Sequence, residues 1–214
     1  MSTPVISPPA ARAPDISTLV LASGNAGKLV ELQAMLADLP LAIVPQRELG
    51  VGDVAETGTT FVENALIKAR HASAATGLPA LADDSGLIVD ALGGAPGLYS
   101  ARYAGSPTDD AANNAKLLDA LRDVPTDRRS ARFYAVIVLL RHADDPQPLI
   151  AEGAWEGRIL DAPRGHHGFG YNPVFLDPLH GLTAAEMDPA QKNRLSHRAR
   201  ALARLREQLA TATL

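Results

Sequence analysis

Two adjacent carboxylates, Asp83 and Asp84, stand between two apolar runs, Leu78–Leu81 and Leu87–Val89. Strands rarely carry two acids where a sheet packs, because a buried charge needs a partner. Acids in such a place usually hold a metal or move a proton. Ser85 and Gly86 follow at once, and Asp-Asp-Ser-Gly is also good turn chemistry. The segment by itself therefore admits a turn as readily as a site.

The surrounding pattern alternates strands and helices. Thr18–Ala22 reads as a short buried strand, broken by Ser23–Gly27. A helix follows over about Lys28 to Ala37, with Leu29, Leu32, Met35 and Leu36 on one face. Leu41–Val44 is a second strand. Thr59 and Thr60 can cap a helix over Phe61–Ala75, with Glu63 in its first turn and Gly77 at its end. The acidic segment then supplies one or two strands, and Gly93–Gly97 is a loop. Pro107 and Asp109–Asp110 open another helix. Phe133–Leu140 and Ile150–Ile159 read as partnered strands, and Pro163–Asn172 as a long glycine-rich loop. A basic amphipathic helix runs from about Asn193 to Leu209. Helices alternating with strands, then a hairpin-like pair, predict an α/β fold with a mixed sheet flanked by helices. Residues 1–15 read as a disordered leader rich in Pro, Ala and Ser, and 16–214 as one domain.

The 214 residues suffice for a substantial core, and the net charge of −4 argues against a broad footprint for duplex nucleic acid. The chain has no cysteine, which excludes disulfides and thiolate chemistry and is compatible with a reducing cytoplasm. No apolar run is long enough to span a bilayer, so no membrane partner is expected.

Four further segments carry chemistry. Ser23-Gly24-Asn25-Ala26-Gly27-Lys28 joins a strand to a helix, where free N–H groups and Lys28 can cradle a phosphate. It lacks Walker A spacing, and an ordinary glycine turn fits it equally. Glu56 precedes the second helix, on which Asn64 and Lys68 share a face; a solvated helix face is the plainer reading. Phe169-Gly170-Tyr171-Asn172 places rings that can stack on a base and an amide that can read its edge, or else a plug over the core. Lys192, Ser196, His197 and Arg198 cluster where the last helix opens. They can read a carbonyl or phosphate, or be a charged helix start. His166 and His167 lack metal-ligand spacing.

The order of these segments is more specific than any one of them. S-G-N-x-G-K, E-T-G-x-T-F-x-E-N-A-x-x-K-A, A-D-D-S-G-L, G-G-A-P-G-x-Y-S-A-R-Y, G-F-G-Y-N-P-x-F and S-H-R succeed one another between about Leu19 and Leu209. Together they resemble the inosine/xanthosine triphosphate pyrophosphatases. The resemblance implies an elongated two-lobed α/β fold with a central cleft, and a cytoplasmic homodimer. It implies hydrolysis of the noncanonical purine nucleotides ITP, dITP and XTP to monophosphate and pyrophosphate with Mg²⁺. By position, Ser23, Gly24, Asn25, Ala26, Gly27 and Lys28 would hold the triphosphate, helped by Lys68. Asp84 would be the proton acceptor and, with Glu56, a magnesium ligand; Ser85 would touch substrate. Phe169, Gly170, Tyr171, Asn172, Lys192, His197 and Arg198 would bind the base and its surroundings. Many relatives carry Asp where this chain has Asn172, so a carboxylate role is not expected there. Asp83 is expected to support Asp84, with an exchange of roles between the two as the alternative. The rival readings are a nucleotide-binding module without turnover and a pyrophosphatase for another modified nucleotide.

Overall fold

The computed structural model describes residues 18–38 and 41–211; the segment read as a leader lies outside them. One seven-stranded mixed sheet organises the chain, in the order β2-β1-β3-β4-β5-β6-β7. The strands are β1 (Thr18–Ala22), β2 (Ala42–Pro45), β3 (Ala80–Val89), β4 (Ser130–Leu140), β5 (Leu149–Ile159), β6 (Phe175–Asp177) and β7 (Leu182–Thr183). β2, β1 and β3 run parallel, and β3 onward is antiparallel. The helices are α1 (Ala26–Leu36), α2 (Phe61–Thr76), α3 (Asp110–Ala120), α4 (Pro189–Leu195) and α5 (His197–Thr211).

The helices begin where their sequences supply caps. Asn25 accepts from the Lys28 N–H at 3.0 Å and starts α1 two residues before the predicted Lys28. Thr60 and Glu63 form a reciprocal capping box on α2, and Gly77, with φ 69°, ends it. The predicted last helix is two helices. Ser196 adopts an extended conformation, ends α4, and accepts from the Ala199 N–H at 3.3 Å to cap α5. α2 turns Ala65, Ala69 and Ala72 to the sheet, all fully buried. Such small side chains let the helix backbone approach closely.

α1 and α5 cover the opposite face of the sheet around Leu21, Leu32, Leu81, Ile137 and Leu202. A third cluster at the far end holds Phe133, Trp155 and Phe175, with the Trp155 and Phe175 rings edge-on at 5.2 Å. The short strands β6 and β7 had no sequence signal long enough to be read as strands.

The acidic pair does not lie in a turn. β3 runs unbroken through Asp83 and Asp84, which pair with Ile137 and Val136 of β4. On its other side β3 pairs with β1 only as far as Ala82, opposite Ala22. There β1 turns away into Ser23–Asn25, leaving a crevice beyond the carboxyl ends of the parallel strands. Such crevices are where open α/β sheets bind ligands.

Candidate active site

Successive strand residues point to opposite faces, so the two acids divide between the two helical layers. Asp83 faces α1 and α5, where Lys28 Nζ lies 2.9 Å from one carboxylate oxygen and Arg198 Nε 3.4 Å from the other. Asp84 faces α2, where Lys68 Nζ donates to it at 2.9 Å. The same ammonium reaches Glu56 at 3.0 Å, so one cation bridges two carboxylates. The segment bearing Glu56 is fixed nearby by Asn64, whose buried Oδ1 accepts from the Gly58 N–H at 2.8 Å. Asn64 and Lys68, one helical turn apart, thus serve the site from one face.

The Ser23–Lys28 segment closes the crevice. A Cβ on Gly24 would collide with the Asp53 carboxylate, which Gln46 and Arg47 hold at 2.9 and 2.6 Å. A Cβ on Gly27 would come within 2.7 Å of the Phe169 ring. Glycine at these two positions lets the loop meet both walls.

On the α5 side, Ser85 Oγ donates to Asp83 at 3.0 Å and accepts from Arg198 Nη2 at 2.8 Å. Glu31 of α1 accepts from Lys192 and from Arg198, each at 2.6 Å. These two cations lie over the Phe169 ring, 5.2 and 5.6 Å from its centroid. His197 stacks on Phe133 at 5.0 Å. Gly170 is clamped by α3: its N–H donates to Asp110 at 2.7 Å, and its carbonyl accepts from Asn114 at 2.8 Å. Tyr171 is buried and donates to the Ser100 carbonyl at 2.8 Å.

Two joined cavities result. One of about 400 Å³ is lined by Ser23, Gly24, Lys28, Glu56, Lys68 and Asp84, among others. The other, about 80 Å³, is lined by Phe169, Tyr171, Asn172, Lys192, His197 and Arg198, among others. Asn25, Lys28, Ser85 and Ala101 line both.

Burial sets the protonation of the site. It pushes the Asp84 carboxyl above its ordinary value, against the pull of Lys68 and Lys28. Burial would raise Asp83 too, but Lys28 and Arg198 outweigh it and hold that carboxyl well below the usual range. Burial lowers Lys28 and Lys192, and holds His197 well below 6.5, so its imidazole is neutral at pH 7. Burial also opposes the charge on Lys68, but Asp84 and Glu56 prevail and raise it. Buried Asn172 Nδ2 and His197 Nδ1 have no hydrogen-bond partner among the described residues. Such groups are costly unless something polar meets them, and both belong to residues lining the smaller cavity.

Of the predicted site residues, Ser23, Gly24, Asn25, Lys28, Glu56, Lys68, Asp84 and Ser85 meet at the larger cavity. Phe169, Gly170, Tyr171, Asn172, Lys192, His197 and Arg198 meet at the smaller. Ala26 and Gly27 line neither and form the first turn of α1. His166 and His167 are exposed and outside both. Sequence reasoning missed Glu31 altogether. Its signal was its place one turn after Lys28, on the helix the loop begins. It also missed Asp110 and Asn114, whose partner Gly170 is 60 and 56 residues away.

A model of the Ham1 family matches residues 19–208. A dITP/XTP pyrophosphatase of Xanthomonas campestris pv. campestris is 82% identical over 191 residues, covering 89% of this chain and 96% of that relative. Another protein of that name, from Vibrio cholerae, is 57% identical over 187 residues, covering 87% and 94%. The solved structure of a HAM1 protein from Coxiella burnetii superposes with a TM-score of 0.84 at 53% identity, covering 91% of this chain and 99% of that one. A family match over almost all the described residues, joined to this likeness in sequence and fold, means that the chain belongs to the Ham1 family.

Proposed function

We propose that the chain hydrolyses ITP, dITP and XTP to the nucleoside monophosphate and pyrophosphate, clearing them from the nucleotide pool. The observation that carries this reading is the pair of joined cavities, one lined by Lys28, Lys68 and acids, the other by rings and buried unpaired polar groups. A nucleoside triphosphate has those two ends. Relatives up to 82% identical are named dITP/XTP pyrophosphatases, which supports the same substrate class here.

The mechanism follows from the charges. Water attacks the α-phosphorus, the bond to the bridging oxygen breaks, and pyrophosphate departs. Asp84 orients the water and accepts its proton. Lys28 and Lys68 offset phosphate charge. Asp83, ion-paired with Lys28 and Arg198, positions Lys28, Ser85 and Arg198 from behind.

Glu56 and Asp84 already share one cation, the Lys68 ammonium, so their oxygens suit a hard divalent ion. Among the described residues no cluster of three or more His, Cys, Asp or Glu side chains forms a metal cage. Two carboxylates completed by phosphate oxygens and water is the usual manner of Mg²⁺. We assign Asp84 and Glu56 as its ligands; when bound, the ion supplies positive charge to the phosphates.

At the base end, hypoxanthine and xanthine offer a 6-oxo acceptor to the donors Arg198 and Asn172. Adenine would present an amino group to them, which is costly when buried. Asn172 has no charge and takes no metal or base role. The homodimer rests on the family resemblance, and sedimentation tests it. The assignment to the cytoplasm, with no nucleic-acid or membrane partner, fits the net charge and the lack of cysteine. Among the described residues no helix is long and apolar enough to cross a membrane.

Pyrophosphate release measured across ITP, dITP, XTP, GTP, ATP and dUTP, with and without Mg²⁺, tests the function. Mg²⁺-dependent turnover highest for ITP, dITP and XTP is expected. Binding without turnover, or preference for dUTP, would overturn it.

A further inference from the structure

Three cations line the larger cavity, Lys28, Lys68 and Arg102, against three carboxylates, Asp53, Glu56 and Asp84. A triphosphate adds several negative charges to a lining that is already balanced. Two of the cations are engaged, Lys28 by Asp83 at 2.9 Å, and Lys68 by Asp84 and Glu56 at 2.9 and 3.0 Å. Among the described residues, the Arg102 side chain has no carboxylate or hydrogen-bond partner. Its guanidinium lies over the exposed ring of Tyr99, 5.2 Å from the centroid.

The base beneath this arginine is firmly built. Arg102 ends a 3₁₀ turn over Gly97–Arg102. Ser100 ties that turn to the acid-bearing strand, accepting from the Leu87 N–H at 2.9 Å and donating to the Gly97 carbonyl at 2.6 Å. A Cβ on Gly86 would strike the Gly97 carbonyl, so turn and strand are in close contact. Asn113 of α3 holds the Ala101 carbonyl at 3.2 Å. A long cationic side chain, its charge met only by the Tyr99 ring among the described residues, thus stands on a rigid support at the cavity wall.

Its position along the cleft is also defined. Ala101 lines both cavities, whereas Arg102 lines only the larger. The arginine therefore belongs to the end remote from the base. On the proposed reading of the cleft as a nucleoside triphosphate site, we infer that Arg102 binds the β- and γ-phosphates and holds the departing pyrophosphate. A guanidinium suits this task because its planar fork meets two phosphate oxygens at once.

Product inhibition tests it on the full-length chain. ITP turnover is measured with added pyrophosphate or IMP for the wild type, Arg102→Ala and Arg102→Lys. Loss of a charge-assisted contact is expected to raise both the KM for ITP and the pyrophosphate inhibition constant of Arg102→Ala about tenfold or more. IMP inhibition should stay within about twofold, because the base end is untouched and distant charge pairs add little. Arg102→Lys should recover part of the loss, keeping charge without the fork. Unchanged pyrophosphate inhibition in Arg102→Ala would overturn the inference, as would equal weakening of IMP. A wild type that hydrolyses none of the nucleotides counts against the function alone. Calorimetric titration of pyrophosphate into wild type and Arg102→Ala then decides: equal affinities overturn the role of Arg102, and a loss supports it.

Discussion

Lys28 and Asp83 form an ion pair at 2.9 Å between the first turn of α1 and the middle of β3, with the Asp83 side chain wholly inaccessible to solvent. A side chain placed by sequence in a phosphate cradle is thus also the counter-ion of a buried acid. Lys28→Ala should therefore do more than weaken nucleotide binding. Breaking one side of a buried pair typically costs about 3–5 kcal/mol, because the other charge stays buried. Urea unfolding followed by the emission of Trp155, buried in the aromatic cluster, measures the loss. Asp83→Ala should cost a comparable amount, and the double variant less than the sum. Additive losses would mean that the two charges are not coupled.

Stability should fall on acidification in two steps. Burial holds His197 below its ordinary 6.5, so the unfolded chain takes up that proton first, and stability declines as pH drops below about 6.5. Asp83 is held below its ordinary 3.8. Its contribution is complete above that value and is lost as pH falls from there through the folded-state value. Urea midpoints across pH give the profile. Asp83→Asn should shrink the lower step, to which Asp145, held low by Arg141, also contributes, and leave the upper. An undiminished lower step in that variant would show that Asp83 does not contribute to it.

Asp84→Asn should lower kcat by about 10²–10⁴-fold, the usual contribution of a positioned acid or base. Calorimetric affinity for ITP should survive in part, since Lys28 and Lys68 remain. Normal turnover in Asp84→Asn would remove that residue from the chemistry.

The site was legible in sequence where its residues are contiguous, and obscure where the fold brings distant ones together. The caps Asn25, Thr60 and Gly77 carry local signals, and the helices begin or end on them. The acidic pair was ambiguous because turn chemistry and strand chemistry share Asp, Ser and Gly. Only pairing of Asp83 and Asp84 with β4 decides for the strand. Ser196 read as part of a polar cluster where one basic helix opens, yet its extended backbone splits that helix and sets His197 and Arg198 at a fresh N-terminus. Within the basic helix, Arg200 and Arg204 donate to the Ala154 and Glu152 carbonyls of β5, each at 2.8 Å, contacts that no local pattern signals. β6 and β7, at three and two residues, are held by register with β5 and with each other rather than by a pattern of their own.

Glu31 offers the sharpest test of how the two ends of the cleft are joined. It reaches from α1, the helix begun by the phosphate loop, to Lys192 and Arg198, and it is separated from them by more than 160 residues of chain. Without this carboxylate, two buried cations face each other over the Phe169 ring with no shared counter-ion. Burial already lowers Lys192, so removing Glu31 should lower it further and let the side chains move apart. Glu31→Gln keeps the shape and hydrogen-bonding reach but removes the charge. Each contact to a charged group is worth about 1.5–3 kcal/mol, so kcat/KM for ITP should fall roughly 10- to 100-fold. The fall should lie mainly in KM, since Asp84 and Lys68 are on the other face of the sheet. Turnover of ITP relative to ATP should fall with it, because the donors that favour a 6-oxo group lose their alignment. Steady-state kinetics on both nucleotides read these effects, and thermal melting separates them from loss of fold. An unchanged KM and an unchanged ITP to ATP ratio would mean that Glu31 only neutralises charge and does not position the base-binding side chains.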